Sequence, residues 1–186
     1  MASAIWKSYC KLLDRRPIFT QVVSGAVLTW FADWVSQTYL EDEAKYDKRR
    51  GAVLAAYGGI EVPLEGMFWF PFLEKVVGHS NQLGSVIKKT VLDQFLFTPC
   101  EVFVFMKWTN SLESREETFS EKLKRDFSIT LMGIYTMWIP LSFATFMLVP
   151  LRFRAVFGCF CDLFSDTFMA FAAHNDLQTK LKKYFS

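Results

Sequence analysis

The sequence lacks almost every pattern that announces a soluble enzyme. It has no HExxH pair, no GxSxG elbow and no Walker loop, and Gly58-Gly59 within YGGIEVPLEG does not complete a dinucleotide fingerprint. Ser85-x-x-Lys88 matches a serine-lysine pattern that arises easily by chance. Only two histidines occur, His79 and His174, both in polar surroundings where imidazole is more often solvated than a ligand or base. The four cysteines, Cys10, Cys100, Cys159 and Cys161, form no CxxC pair, and the last three sit in apolar runs where cysteine behaves as a small hydrophobe. Catalysis, a disulfide framework, a metal site and a bound cofactor are therefore not expected. A net charge of +2, without a basic stripe, argues against direct nucleic-acid binding. The N-terminus lacks the apolar run of roughly 7–15 residues that a secretory signal requires.

What the chain does have is apolar bulk: 52% of its 186 residues are hydrophobic and 20 are phenylalanine, more than a soluble core needs. The mean hydropathy is only +0.17, because charged residues are threaded through nearly every apolar segment. Residues Phe127 to Leu151 contain no Asp, Glu, Lys or Arg, and as a helix they would exceed a hydrocarbon core of about 30 Å. Pro140 should kink that helix, with Thr136, Ser142 and Thr145 supplying hydroxyls to the carbonyl it frees. A second span runs from Pro17, suited to a first helical turn, to about Tyr39, broken only by Asp33. A third, 51–73, has glycines for close packing and Pro63 and Pro71 to bend or interrupt it. The fourth, about 90–110, carries Asp93, Pro99 and Glu101.

Loop charge offers a separate test, because Lys and Arg collect on one side of a membrane. Net charge is +3 over 1–16, 0 over 41–50, +2 over 74–89, −1 over 111–126 and +2 beyond Pro150. The alternation predicts an all-α, polytopic membrane helix bundle. It comprises a single domain, 1–186, with spans at about 17–39, 51–73, 90–110 and 127–150. Residues 111–126 read as an exposed charged loop. Residues 155–173 read as an amphipathic helix or a fifth span, the first preserving the alternation. At the N-terminus, Ile5, Trp6, Tyr9, Leu12 and Leu13 share helical spacing among basic residues. That stretch can be read as a transit peptide, but a retained interfacial helix fits its aromatic pair better.

An acidic residue at mid-bilayer costs about 2.5–3.5 kcal/mol on insertion scales, so each needs a partner, a wet cavity or an interfacial depth. Glu61 and Glu65 stand one helical turn apart, as do Asp162 and Asp166, so each pair shares a face. With Asp33, Asp93 and Glu101 from other segments, these carboxylates would line a cation-favouring path if they converge. The alternative is ion pairing with Arg49, Arg50, Lys88, Lys89, Arg152 or Arg154 near the membrane faces. For Asp93 and Gln94, close to a span start, helix capping is the simpler reading.

Several segments in order resemble one family, that of the twenty-two-kilodalton peroxisomal membrane protein and the mitochondrial Mpv-seventeen protein. They are Trp6-x-x-Tyr9, Pro17, Ala32-Asp33-Trp34-Val35-Ser36-Gln37, Lys48-Arg49-Arg50, Phe68-Trp69, Leu92-Asp93-Gln94 with Pro99 five residues later, Lys122 to Asp126, Trp138 and Leu148-Val149-Pro150-Leu151-Arg152-Phe153-Arg154. The chain departs from the family pattern where Ser142 and Thr145 replace a usual Gln and Asn, and where Gly66 replaces a common histidine. The resemblance implies a multi-pass protein of the mitochondrial inner membrane, or alternatively the peroxisomal membrane. It also implies weakly selective channel activity linked to mitochondrial DNA maintenance and reactive-oxygen homeostasis. The expected partners are the lipid bilayer and small solutes or metabolites, and a homo-oligomer is compatible with the sequence. Asp33, Glu61, Glu65, Asp93, Asp162 and Asp166 are the candidate pore-lining or gating residues, with Pro63 and Pro140 as helix kinks. A non-conducting scaffold is the competing expectation.

Overall fold

The computed structural model describes residues 2–40, 45–112 and 118–151, together with Arg154, Phe157, Gly158, Cys161, 163–165 and Thr167. Among these there is no strand. A first helix, α1 (Ala2–Arg15), is joined through Arg16 to α2 (Pro17–Val35), which continues into a π-helical turn, π1 (Ser36–Leu40). A second rod runs unbroken through α3 (Lys48–Leu64), π2 (Glu65–Trp69) and α4 (Phe70–Val77). The third does the same through α5 (Leu83–Leu92), π3 (Asp93–Phe97) and α6 (Thr98–Leu112), and α7 (Phe119–Leu148) forms the fourth. At about 1.5 Å per residue, the last three rods are each some 45 Å long.

The rods bury charged and polar side chains beside apolar clusters and carry much of their apolar bulk outside. Asp33, Lys89, Asp126 and Thr109 have no measurable exposure, whereas Phe68, Phe95, Met132 and Leu148 are 64–74% exposed. In water this arrangement would leave side chains of the third rod and α7 without a driving force for burial, but in hydrocarbon it places each apolar group in its preferred solvent. Among the described residues, two helices are both long and apolar enough to cross a membrane, Pro17–Tyr39 and Phe119–Leu148. The other two expected spans fall on rods whose charges and π turns keep any one helix below that standard.

Sequence accounts for most of the element boundaries. Pro17 opens α2, and the Asp47 carboxylate caps α3 by accepting from the amides of Arg49 (2.8 Å) and Arg50 (3.2 Å). Gly78 ends α4 with φ at +97°, a conformation that favours glycine. The π turns have a common cause in two cases, since Pro71 and Pro99 each lie two residues beyond one. A proline lacks the N–H for an α-type bond and crowds the carbonyl four residues back, and widening the preceding turn relieves that clash. The amides of Phe70 and Thr98 accordingly reach back five residues, to Glu65 O and Asp93 O.

Glycine sets the tightest packing, between α2 and α3. A Cβ on Gly25 would strike the Gly58 carbonyl, and one on Gly58 would strike the Thr29 hydroxyl. Gly51 leaves room for the Tyr46 ring and Gly66 for the Gln21 amide, but Gly59 has only ordinary contacts, the nearest at 3.5 Å. One apolar cluster holds Leu54, Tyr57, Val102, Phe105, Met106 and Ile134, and a second holds Phe70, Leu73, Val86 and Phe146. The N-terminal helix lies against α2, where Tyr9 Oη and Ser24 Oγ are 3.1 Å apart and Trp6 stacks on Tyr9.

Two expectations need correcting, one on a loop and one on the hydroxyls near Pro140. The segment expected to be a charged loop, 111–126, is helical at 111–112, the end of α6, and again from Phe119, because buried Lys122 and Asp126 continue the buried stripe of Thr130 and Ile134 toward the start of α7. Pro63 and Pro140 both lie inside continuous helices, and the second rod departs from α geometry only after Pro63, in the turn that accommodates Pro71. The hydroxyls near Pro140 do not serve the carbonyl it frees: Thr136 donates to Gly133 O, Thr145 to Leu141 O, and Ser142 to the carboxylate of Asp93. Most of 155–173, including Asp162 and Asp166, lies outside the described residues.

Candidate functional site: an acid-lined centre between paired ends

The buried charges sort by position along the rods. At one end, Arg50 Nε lies 2.7 Å from Asp33 Oδ1, and Asp33 Oδ2 also accepts from Gln37 Nε2 at 2.8 Å. Gln37 in turn accepts from the backbone amide of Asp47 at 2.7 Å, which ties π1 to the cap of α3. Tyr46 closes this corner; burial, with the nearby Asp33 carboxylate second, pushes its phenol from 10.0 up to about 12. Arg49 donates to Leu112 O at 3.2 Å, which places the start of α3 beside the end of α6, and Arg125 bonds to buried Asp126 at 2.8 Å.

At the opposite end, Glu74 gathers two cations. Lys89 Nζ is 2.7 Å from Glu74 Oε1, Arg154 Nη1 bonds to the same oxygen, and exposed His79 Nδ1 is 3.1 Å from Oε2. Arg154 also lies over the Phe146 ring, 5.2 Å from its centroid. Burial would raise the Glu74 pKa, but hydrogen bonds and charge from Lys89 and Arg154 outweigh it and hold the group below 4.5.

Between these ends the carboxylates have different company. Glu61, Glu65, Asp93 and Glu101, from four elements of the second and third rods, line one cavity of about 30 Å³ together with Gln94, Trp138 and Ser165. By the usual allowance of about 10–15 Å³ per water, it holds two or three at most. Glu65 and Asp93 are each the first residue of a π turn, so the turns forced by Pro71 and Pro99 also orient two acids inward. Asp93 accepts from Trp69 Nε1 (2.7 Å), Ser142 Oγ (2.6 Å) and Gln94 Nε2 (2.9 Å). The Glu61 and Glu101 carboxyls are within hydrogen-bonding reach of each other. Gln94 Oε1 is buried on this cavity without a hydrogen-bond partner. Among the described residues lining it, none is Lys or Arg.

Three of the sequence-derived candidates therefore converge, Glu61, Glu65 and Asp93, while Asp33 takes the ion-paired alternative. The capping role expected for Asp93 and Gln94 gives way to a central one, because the third rod starts at Leu83 and leaves both well inside it. Sequence reasoning did not foresee Trp69 and Ser142 as Asp93 partners. A serine in an apolar run opposite an unexplained aspartate was the available signal, and Ser142 stands at one of the departures from the family pattern. Among the described residues, no three of His, Cys, Asp and Glu come close enough together to hold a metal ion.

An all-helical body with apolar groups outside, ion pairs at both ends and hydrogen-bonded acids between them defines a helical membrane protein. A family model, described as the Mpv17 / PMP22 family, matches residues 110–170. The chain is 31% identical to the mitochondrial inner membrane protein Mpv17 of Danio rerio over 82% of this chain and 87% of that one. It is 28% identical to the Homo sapiens protein of the same name, over 92% and 98%, and 27% identical to protein sym1 of Aspergillus oryzae, over 82% and 88%. The chain belongs to the Mpv17 / PMP22 family. No solved structure matches it.

Proposed function

We propose that the protein is a weakly selective, cation-favouring channel for small solutes in the mitochondrial inner membrane, crossing it four times at about 17–39, 51–73, 90–110 and 127–150. One observation carries this reading: four carboxylates from two rods line a single cavity midway along them, with no described Lys or Arg among the lining residues. The location rests on relatives named as mitochondrial inner membrane proteins. A cavity of about 30 Å³ is too small for a metabolite, so the conformation described is the closed form and conduction requires the rods to part at the π turns. No catalytic chemistry is assigned to the chain, and a homo-oligomer remains compatible with the proposal.

Reconstituted protein in planar bilayers should conduct, with size-graded solutes defining the cutoff. Replacing Glu61 and Glu65 by Gln should lower the preference for cations over anions while leaving anion current in place. Silence from a folded preparation would sink the idea. It would favour the rival reading of a non-conducting membrane scaffold, to which the pairing of Asp33 and Glu74 and the small cavity already lend support.

A further inference from the structure

A second cavity, about 600 Å³, opens sideways between the second and third rods. That volume lies within the roughly 300–1,000 Å³ of small-molecule sites. Its outer lip is formed by Ile60, Phe68 and Val104, all more than half exposed on the apolar surface of the bundle. Its inner walls are the rings of Tyr57, Trp69, Phe97 and Trp108. The groove meets the acid-lined cavity at Glu61 and Glu101, which line both.

The polar groups of the walls decide what can enter. Trp69 Nε1 is committed to Asp93, Trp108 Nε1 donates to Val53 O at 2.9 Å, and the Tyr57 hydroxyl donates to Glu101 O at 3.4 Å. The indole and phenol donors are thus spent inside the protein, and the described lining holds no Lys or Arg. The proton that Glu61 and Glu101 can share is committed between them, so an anionic or carbonyl head would meet carboxyl oxygens with no indole, phenol, Lys or Arg donor to spare, at a low local dielectric where the mismatch is costly. An ammonium head would meet two carboxyl groups flanked by aromatic faces, and a hydrocarbon tail would meet the rings and the lip. Charge and shape together select an amphiphile with a cationic end.

We propose that this lateral groove binds a membrane-dissolved long-chain amine, its ammonium at Glu61 and Glu101 and its tail along the aromatic walls. The inference does not depend on conduction, because it concerns a site entered from the lipid and can be read without current.

Cys100 supplies the readout, being exposed and part of the groove lining. Full-length protein in phosphatidylcholine nanodiscs would be treated with N-ethylmaleimide, and alkylation at Cys100 followed by peptide mass spectrometry. Dodecylamine should slow that reaction by about tenfold, with dodecanol and dodecanoate at equal concentration having little effect. The Glu61→Gln/Glu101→Gln variant should lose the protection, read as the ratio of its alkylation rates with and without dodecylamine so that any change in the intrinsic reactivity of Cys100 cancels. If that variant misfolds, Glu101→Gln alone carries the same expectation. Equal protection by dodecanol, protection that survives loss of the carboxylates, or no protection in the parent protein would each overturn the proposal.

Discussion

Glu74, buried at one end of the bundle, ties its charge state to the pH of the solution. Lys89 and Arg154 hold its carboxyl below the ordinary 4.5 against the opposing effect of burial. Its contribution is therefore complete above about pH 4.5 and lost as pH falls through the folded value, because protonation cancels the attraction to both cations. Thermal unfolding in detergent should show a melting temperature that drops below pH 4.5, and Glu74→Gln should be less stable at pH 7 with a flatter acid limb. An unchanged acid limb in that variant would assign the pH response elsewhere. At this scale sequence reading offered Arg50 as a partner for the intramembrane acids, and Asp33 takes it; Lys89 was offered as well, but the acid it holds, Glu74, was not among the candidate carboxylates. Sequence could not pair Glu74 with Arg154, eighty positions away, because nothing in periodicity encodes which rod ends meet.

At the scale of elements, the α2–α3 crossing rests on two glycines that admit no side chain. Gly25→Ala would force a methyl against the Gly58 backbone and should cost about 1–3 kcal/mol as overpacking. Gly59→Ala has room and gains helix propensity, so it should be neutral or stabilising by about 0.5–1 kcal/mol. Unfolding by denaturant titration of both variants in one detergent would check the contrast; equal losses would contradict the packing described. The glycine-rich segment was legible in the sequence as a site of close approach, but which glycines bear the contact depends on helix rotation. The π turns were hidden more deeply. Pro71 and Pro99 announce an interruption, yet whether a helix answers with a kink, a break or one wide turn depends on what the neighbouring rods permit.

For the molecule as a whole, polarity is inverted relative to a water-soluble bundle, and substitution tolerance should invert with it. Leu96, more than half exposed, faces where lipid would lie. Leu96→Ala should change stability by less than about 0.5 kcal/mol, since lipid tails replace the lost contacts, whereas Leu96→Arg should cost about 2–3.5 kcal/mol at mid-bilayer depth. Refolding yield into lipid bicelles would separate the two. Hydropathy exposed this inversion only for Pro17–Tyr39 and Phe119–Leu148, because the acids that build the centre are the same residues that dilute the apolar signal in the other rods.

The ion pair between Glu74 and Arg154 also has a meaning in time. Ribosomes deliver α4 long before Arg154 exists, so for most of synthesis Glu74 has Lys89 as its one described cationic Lys or Arg partner within reach. The last partner arrives only after α7 has been made, and its docking closes that end of the bundle. Closure of that end of the bundle therefore waits until residue 154 has been made, and a chain that stops short of it would leave Glu74 without the guanidinium that shares its carboxylate with Lys89.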